Sequence, residues 1–224
     1  MTALGGVPDL VIFDCDGVLV DSERMEVGTL TEALTWLECD LDVAELHDRH
    51  RGGVIADLLA IVAEHTGRPT PDWFMPRYRE LQFARLRHVD VVPGAREAVA
   101  TAVAADLPRC VVSGGPMGKM ETSLVATGLW DAFAPHIYSC YDIGDHKPSP
   151  GIYLHALAAN GADAARCLAV EDSVAGVSAA HAAGVPVVGL ARDTDPDDLR
   201  RAGAGHIVAT MHEFAGELRR VTTR

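Results

Sequence analysis

Lysine is almost missing from this chain of 224 residues. Lys119 and Lys147 are its two lysines, and arginine supplies the other side-chain cations. Positive charge is scarce as a whole: 19 basic residues face 32 acidic ones, for a net charge of −13. A field of that sign repels nucleic acid and anionic membranes, so any phosphate must be held by a few local groups. No apolar run reaches transmembrane length. The apolar N-terminal stretch lacks a basic start and is interrupted by Asp9, Asp14 and Asp16, which argues against a signal peptide. The five cysteines, at 15, 39, 110, 140 and 167, contain no C-x-x-C pair. At least three lie in apolar strand-like runs, as small buried thiols in a reducing compartment do. These absences lead us to expect a soluble cytoplasmic protein with no nucleic-acid, membrane or protein partner.

The sequence is rich in short apolar runs that alternate with helical patterns. Leu10 to Phe13 form the first. RCVVS (Arg109–Ser113), HIYSC (His136–Cys140), RCLAVE (Arg166–Glu171), PVVGL (Pro186–Leu190) and HIVA (His206–Ala209) follow. Helix starts are signalled by Pro116, by Ser149-Pro150 and by Asp172-Ser173. Such alternation predicts a doubly wound parallel α/β sheet, whose strands are continuously apolar because both faces are covered. Residues 22–89 differ. Helical spacing recurs in MEVGTLTEALTWL, VIADLLAIVAEH and WFMPRYRELQFARL, with no strand-like run, and Pro93-Gly94 marks the return to α/β. We therefore expect a Rossmann-like core, residues 1–21 and 90–224, interrupted by an all-helical cap, residues 22–89. Trp36, Trp73, Phe74 and Phe83 sit at helical spacings that suit the cap interior.

Ligands of open α/β sheets bind outside the carboxyl ends of the strands, and the residues placed there are unusual. Asp14 and Asp16 end the first strand. Ser113, Gly114 and Gly115 end the second, Lys147 lies a few residues past the third, and Glu171 and Asp172 end the fourth. Taken singly, each has an ordinary reading: a loop carboxylate, a turn, a solvated cation, a helix cap. Together they describe a site for a metal and a phosphate. Carboxylate oxygens suit Mg2+, a hard cation, while Ser113, the glycine amides and Lys147 can hold phosphoryl oxygens. Asp14 can then attack phosphorus. Asp16, on the same side of an extended segment, can serve the leaving oxygen and the attacking water as acid and base.

The segments FDCDGVLVDSE, CVVSGGP, HKPSP and VEDSVAG resemble the haloacid dehalogenase (HAD) superfamily of phosphohydrolases over essentially the whole chain. Within it the chain looks like the branch of sugar-phosphate phosphatases and β-phosphoglucomutases, which carries a helical cap after the first motif. CVVSGGPMGKM and YDIGDHKPSP are most similar to bacterial phosphatases of 6-phosphogluconate and related sugar phosphates. The resemblance implies Asp14 as nucleophile, Asp16 as acid/base, and Ser113 and Lys147 as phosphate ligands. It further implies Mg2+ on Asp14, Asp172 and the Asp16 backbone carbonyl, with Glu171 as a nearby or direct ligand. Gly114 replaces the usual Asn of the second motif, leaving backbone donation to the phosphate. Asp16 argues against dehalogenation, and a cap without lysine argues against a phosphonatase. Glu26 matches the position of a mutase histidine, which favours hydrolysis of a small phosphorylated metabolite over phosphoryl migration; a sugar-phosphate mutase is the alternative. A receiver-type signalling module fits poorly, because its phosphorylated Asp lies on a later strand and it has no large helical insert. Arg51, before Gly52-Gly53, is the candidate for reading the remote part of the substrate.

Overall fold

The computed structural model describes residues 6–43 and 55–223. Six parallel strands form one sheet: β1 (Leu10–Asp14), β2 (Arg109–Ser113), β3 (Ile137–Ser139), β4 (Cys167–Glu171), β5 (Val187–Leu190) and β6 (His206–Val208), in the order β3-β2-β1-β4-β5-β6. The winding direction reverses at β1, which pairs with β2 in the register Val11↔Arg109 and with β4 in the register Leu10↔Cys167. The fold is the doubly wound, Rossmann-like sheet expected from the alternating pattern. Strand boundaries shift by a residue at several ends. Cys140, read as the end of β3, instead opens a short helix that the Ser139 hydroxyl caps by accepting from Tyr141 N–H.

Both faces of the sheet are covered, and β1 divides its side chains between them with period two. Val11 and Phe13 point into a layer shared with α4 (Ala95–Ala104), α5 (Met117–Ala126), α6 (Trp130–Phe133) and α11 (Met211–Thr222). Leu10 and Ile12 point into a layer shared with α8 (Gly151–Asn160), α9 (Val174–Ala182) and α10 (Pro196–Ala202). The short helix after β3 is α7 (Cys140–Ile143). Phe13 meets Phe133 and Phe214 edge-on, with centroids 5.5 and 5.9 Å apart, the geometry that ring quadrupoles prefer. Helix α11 is started by Thr210, whose hydroxyl accepts from Glu213 N–H while the Glu213 carboxylate reaches back to Ala209 N–H. The four cysteines of the core, Cys15, Cys110, Cys140 and Cys167, are buried and free, and Cys39 is free and half-buried.

Among the described residues, three helices lie between β1 and α4: α1 (Glu23–Thr35), α2 (Ile55–Thr66) and α3 (Phe74–Leu86). They close around their own apolar cluster of Leu30, Ala33, Leu34, Leu58, Val62, Phe74 and Tyr78. The chain leaves and re-enters the core through adjacent segments: Val20 bridges Val91 antiparallel, and Asp21 N–H donates to Asp90 O at 2.9 Å. Two aromatic residues expected inside this cluster lie elsewhere. Trp73 is 48% exposed at the start of α3, and the Phe83 ring lies against Gly118 of α5. Helical spacing assigns residues to a face, but helices that pack on each other and also on α5 have two faces to cover. Phe83 covers the second.

Because Phe214 joins α11 to the central strand through Phe13, Phe214→Ala should destabilise the core by about 3–5 kcal/mol. A urea titration read by circular dichroism should show the lower midpoint, and an unchanged midpoint would contradict this packing account.

Candidate active site

The reversal of winding at β1 opens a crevice at the carboxyl ends of β1, β2 and β4, and the predicted residues line it. A cavity of about 210 Å³ has Asp14, Asp16, Ser113, Gly114, Lys147 and Asp172 in its wall. From the helical insert come Glu26, Leu30, Ile55, Leu58, Met75, Tyr78, Arg79 and Gln82. Of the residues singled out in the sequence, Arg51 lies outside the described residues. The others converge on this crevice, with Glu171 buried directly beneath it.

Lys147 is the central cation. Its Nζ stands 2.6 Å from Asp14 Oδ1 and 2.6 Å from Glu171 Oε1, and all three side chains are buried. Tyr153 OH donates to the same Glu171 oxygen at 2.6 Å, and Ser173, the N-cap of α9, lies against Glu171 Oε2 at 3.5 Å. A lysine this deep would lose its proton to desolvation, but Asp14 and then Glu171 outweigh burial and push its pKa above the usual value.

Glycine permits two of the close approaches. Gly17 has φ +82°, and a Cβ there would stand 2.0 Å from Asp172 Oδ2. Gly176 lies so near Glu171 that a Cβ would stand 2.0 Å from its Oε2. The carboxylates therefore occupy space that any larger residue would take.

Asp14, Glu171 and Asp172 each offer an oxygen within 4.8 Å of the others, and all are buried. Burial, then the charge of Glu171, pushes Asp14 up to about 8 despite Lys147. Burial, then Asp14, likewise raises Asp172 well above the carboxylate range. One lysine thus falls short of the charge needed to keep the group ionised. The donors are all oxygen, and a hard divalent cation among them would supply the missing charge. The Asp16 carboxylate stands apart from this group, leaving only its backbone carbonyl for the contact that the resemblance implies.

Asp16 is held by other residues. Ser22 Oγ donates to its Oδ1 at 2.6 Å, and Lys119 Nζ lies 3.1 Å from the same oxygen. Burial alone would raise its pKa, but Lys119 and Ser22 outweigh that and lower it. Sequence reasoning missed Lys119, Ser22, Tyr78 and Gln82. For Lys119 a signal existed: it is one of two lysines, and it falls in the first turn of the helix that follows Ser113. Ser113 itself accepts from Gly115 N–H at 2.9 Å, and Ser139 Oγ donates to Gly115 O at 2.7 Å, so the glycine turn is fixed from both sides.

Comparison with known proteins agrees with this geometry. The family model for haloacid dehalogenase-like hydrolases matches residues 8–184. The chain is 32% identical over 181 residues to the 6-phosphogluconate phosphatase of Escherichia coli (strain K12), covering 80% of each. It is 31% identical to hexitol phosphatase B of the same organism, covering 77% of this chain and 78% of that protein. A HAD family hydrolase from Deinococcus radiodurans R1, solved with bound phosphate and sodium, superposes with a TM-score of 0.77 at 29% identity, covering 95% of this chain and 98% of that one. Family match, sheet order and the carboxylate-rich crevice agree: the chain belongs to the haloacid dehalogenase-like hydrolase family, as an enzyme of its phosphoric monoester hydrolases.

Proposed function

We propose that this hydrolase is a Mg2+-dependent phosphatase of a small sugar phosphate, working through an aspartyl-phosphate on Asp14. The observation that carries the reading is the buried Asp14–Lys147–Glu171 contact beside Asp172, at the end of the central strand. Asp14 attacks phosphorus as the ester oxygen departs with a proton from Asp16. Water then attacks the phosphoryl group, giving its proton to Asp16, and Asp14 is regenerated as phosphate leaves. Ser113, the amide of Gly114 and Lys147 bind the phosphoryl oxygens throughout. A divalent cation held by Asp14, Asp172 and the Asp16 carbonyl, with Glu171 adjacent, would screen the repulsion between the nucleophile and its anionic target. In this reading residues 22–89 act as a cap on a core of residues 1–21 and 90–224, and exclude bulk water from the crevice. Among the described residues, no helix is long and apolar enough to cross a membrane.

Two features bear on the substrate. Glu26 occupies the position at which the resemblance puts a mutase histidine. Both its oxygens are committed, to Tyr78 OH at 3.2 Å and to Gln82 Nε2 at 2.9 Å. That speaks for hydrolysis over phosphoryl migration. Arg79 of α3 lines the cavity, and no ion pair joins it to another of the described residues. The relatives named for 6-phosphogluconate and hexitol phosphates differ in a distal carboxylate, and an uncommitted guanidinium suits the anionic kind.

Asp14→Asn should cost about 10⁴-fold or more in phosphate release, without change in the far-ultraviolet circular dichroism. Retention of activity within about tenfold would exclude the covalent route. Removing divalent metal with EDTA should silence the native enzyme, and Mg2+ should restore it; turnover that persists in EDTA would remove the metal from this reading. Arg79→Ala should lower kcat/KM for 6-phosphogluconate by roughly ten- to a hundredfold, as expected for one charge-assisted hydrogen bond. A hexitol phosphate should lose far less, and equal losses on both would assign Arg79 to the fold.

A further inference from the structure

Four polar residues in the crevice have no task in the chemistry above, and they form one connected unit. Glu26 of α1 accepts from Tyr78 and Gln82 of α3, and its Oε1 lies 2.9 Å from Lys119 Nζ on α5. Lys119 in turn lies 3.1 Å from Asp16 Oδ1. The chain of contacts therefore runs from the insert, through a core lysine, to the acid/base. It is shielded from solvent: the Lys119 and Glu26 side chains are each 13% exposed, so water screens their attraction weakly. Two carboxylates already balance the lysine charge, which leaves little for an anionic substrate group.

The contacts on Asp16 are asymmetric. Ser22 and Lys119 both engage Oδ1, while Oδ2 has no hydrogen-bond partner among the described residues. A hydrogen bond from Ser22 and an ion pair with Lys119 on the same oxygen hold one rotation of the carboxylate and leave the other oxygen to exchange a proton. We infer that Lys119 is a positioning residue for proton transfer. With Ser22 it clamps Asp16 Oδ1 so that Oδ2 exchanges the proton, and Glu26, gripped by Tyr78 and Gln82, makes that placement depend on the helical insert being seated. The inference rests on the reading of Asp16 as acid/base. In the first step the phosphorus–ester bond breaks as the Asp14–phosphorus bond forms, and the Oδ2 proton passes to the leaving oxygen. Misplacing that proton by about 1 Å can cost on the order of 10²-fold.

The leaving group separates positioning from mere support. Nitrophenolate departs without protonation, phenolate less easily, and a sugar alkoxide hardly at all. The parameter kcat/KM reports only events up to formation of the phosphoenzyme, so the later water step does not enter. Lys119→Met should lower kcat/KM for a hexose phosphate by about 10²-fold but for nitrophenyl phosphate by only about threefold, with phenyl phosphate between them. The dependence on leaving-group acidity thus steepens, and Lys119→Arg should restore part of the loss. Glu26→Gln should steepen it too, and should add little in the Lys119→Met background, because it acts through the lysine. Asp16→Asn is the reference. If that variant shows no steepening, the acid/base reading fails and the assignment of Lys119 falls with it. If Asp16→Asn steepens the dependence and Lys119→Met lowers all three esters equally or none, the assignment of Lys119 alone is overturned. Additive effects of Glu26→Gln and Lys119→Met would sever the link to the insert.

Discussion

The site is organised by an imbalance of charge: Lys147 sits between Asp14 and Glu171, with Asp172 close by, all beneath the protein surface. A buried ion pair is a weak source of stability, since desolvation offsets much of its attraction. Three acids around one base are worse than a pair. The fold tolerates this because β1, β2 and β4 bury apolar residues on both faces, and because Tyr153 and Ser173 contact the carboxylate that Lys147 does not fully neutralise. In the proposed reading, that excess negative charge is what would give a divalent cation its place. Stability is surrendered locally for chemistry and recovered in the two apolar layers.

Much of this was legible in the sequence, for physical reasons. Parallel strands covered on both faces are continuous in apolarity, so Leu10–Phe13 and RCVVS announced themselves, and the topology then told us to look just beyond them. Asp14, Asp16, Ser113, Lys147 and Asp172 were visible because each lies at the end of a strand or in the segment beyond it. The pairing of Lys119 with Glu26 was not visible. It depends on how a helix of the insert is seated on a helix of the core, and no local pattern encodes a contact between segments so far apart in the chain. Trp73 and Phe83 illustrate the same gap. Spacing placed them on a helix face, but burial depends on what that face meets.

The crevice divides its labour between the two sides. The groups that the proposed mechanism sets on phosphorus come from strand ends and the loops just beyond them, on a backbone held by parallel ladders and two packed layers. Tyr78, Arg79 and Gln82, on the opposite wall of the cavity, come from one helix of a smaller unit with a smaller apolar cluster.

The way the insert is joined to the core has a further consequence. Its two connections run side by side, tied at Val20–Val91 and Asp21–Asp90, so from the sheet's viewpoint the whole helical segment is one long hairpin loop. The entropy of closing such a loop rises only with the logarithm of its length, roughly 0.6 kcal/mol per doubling. The stability of the sheet therefore depends only weakly on how long the segment is. New specificities could then arise by replacing that segment, with little need to alter the sheet beneath it.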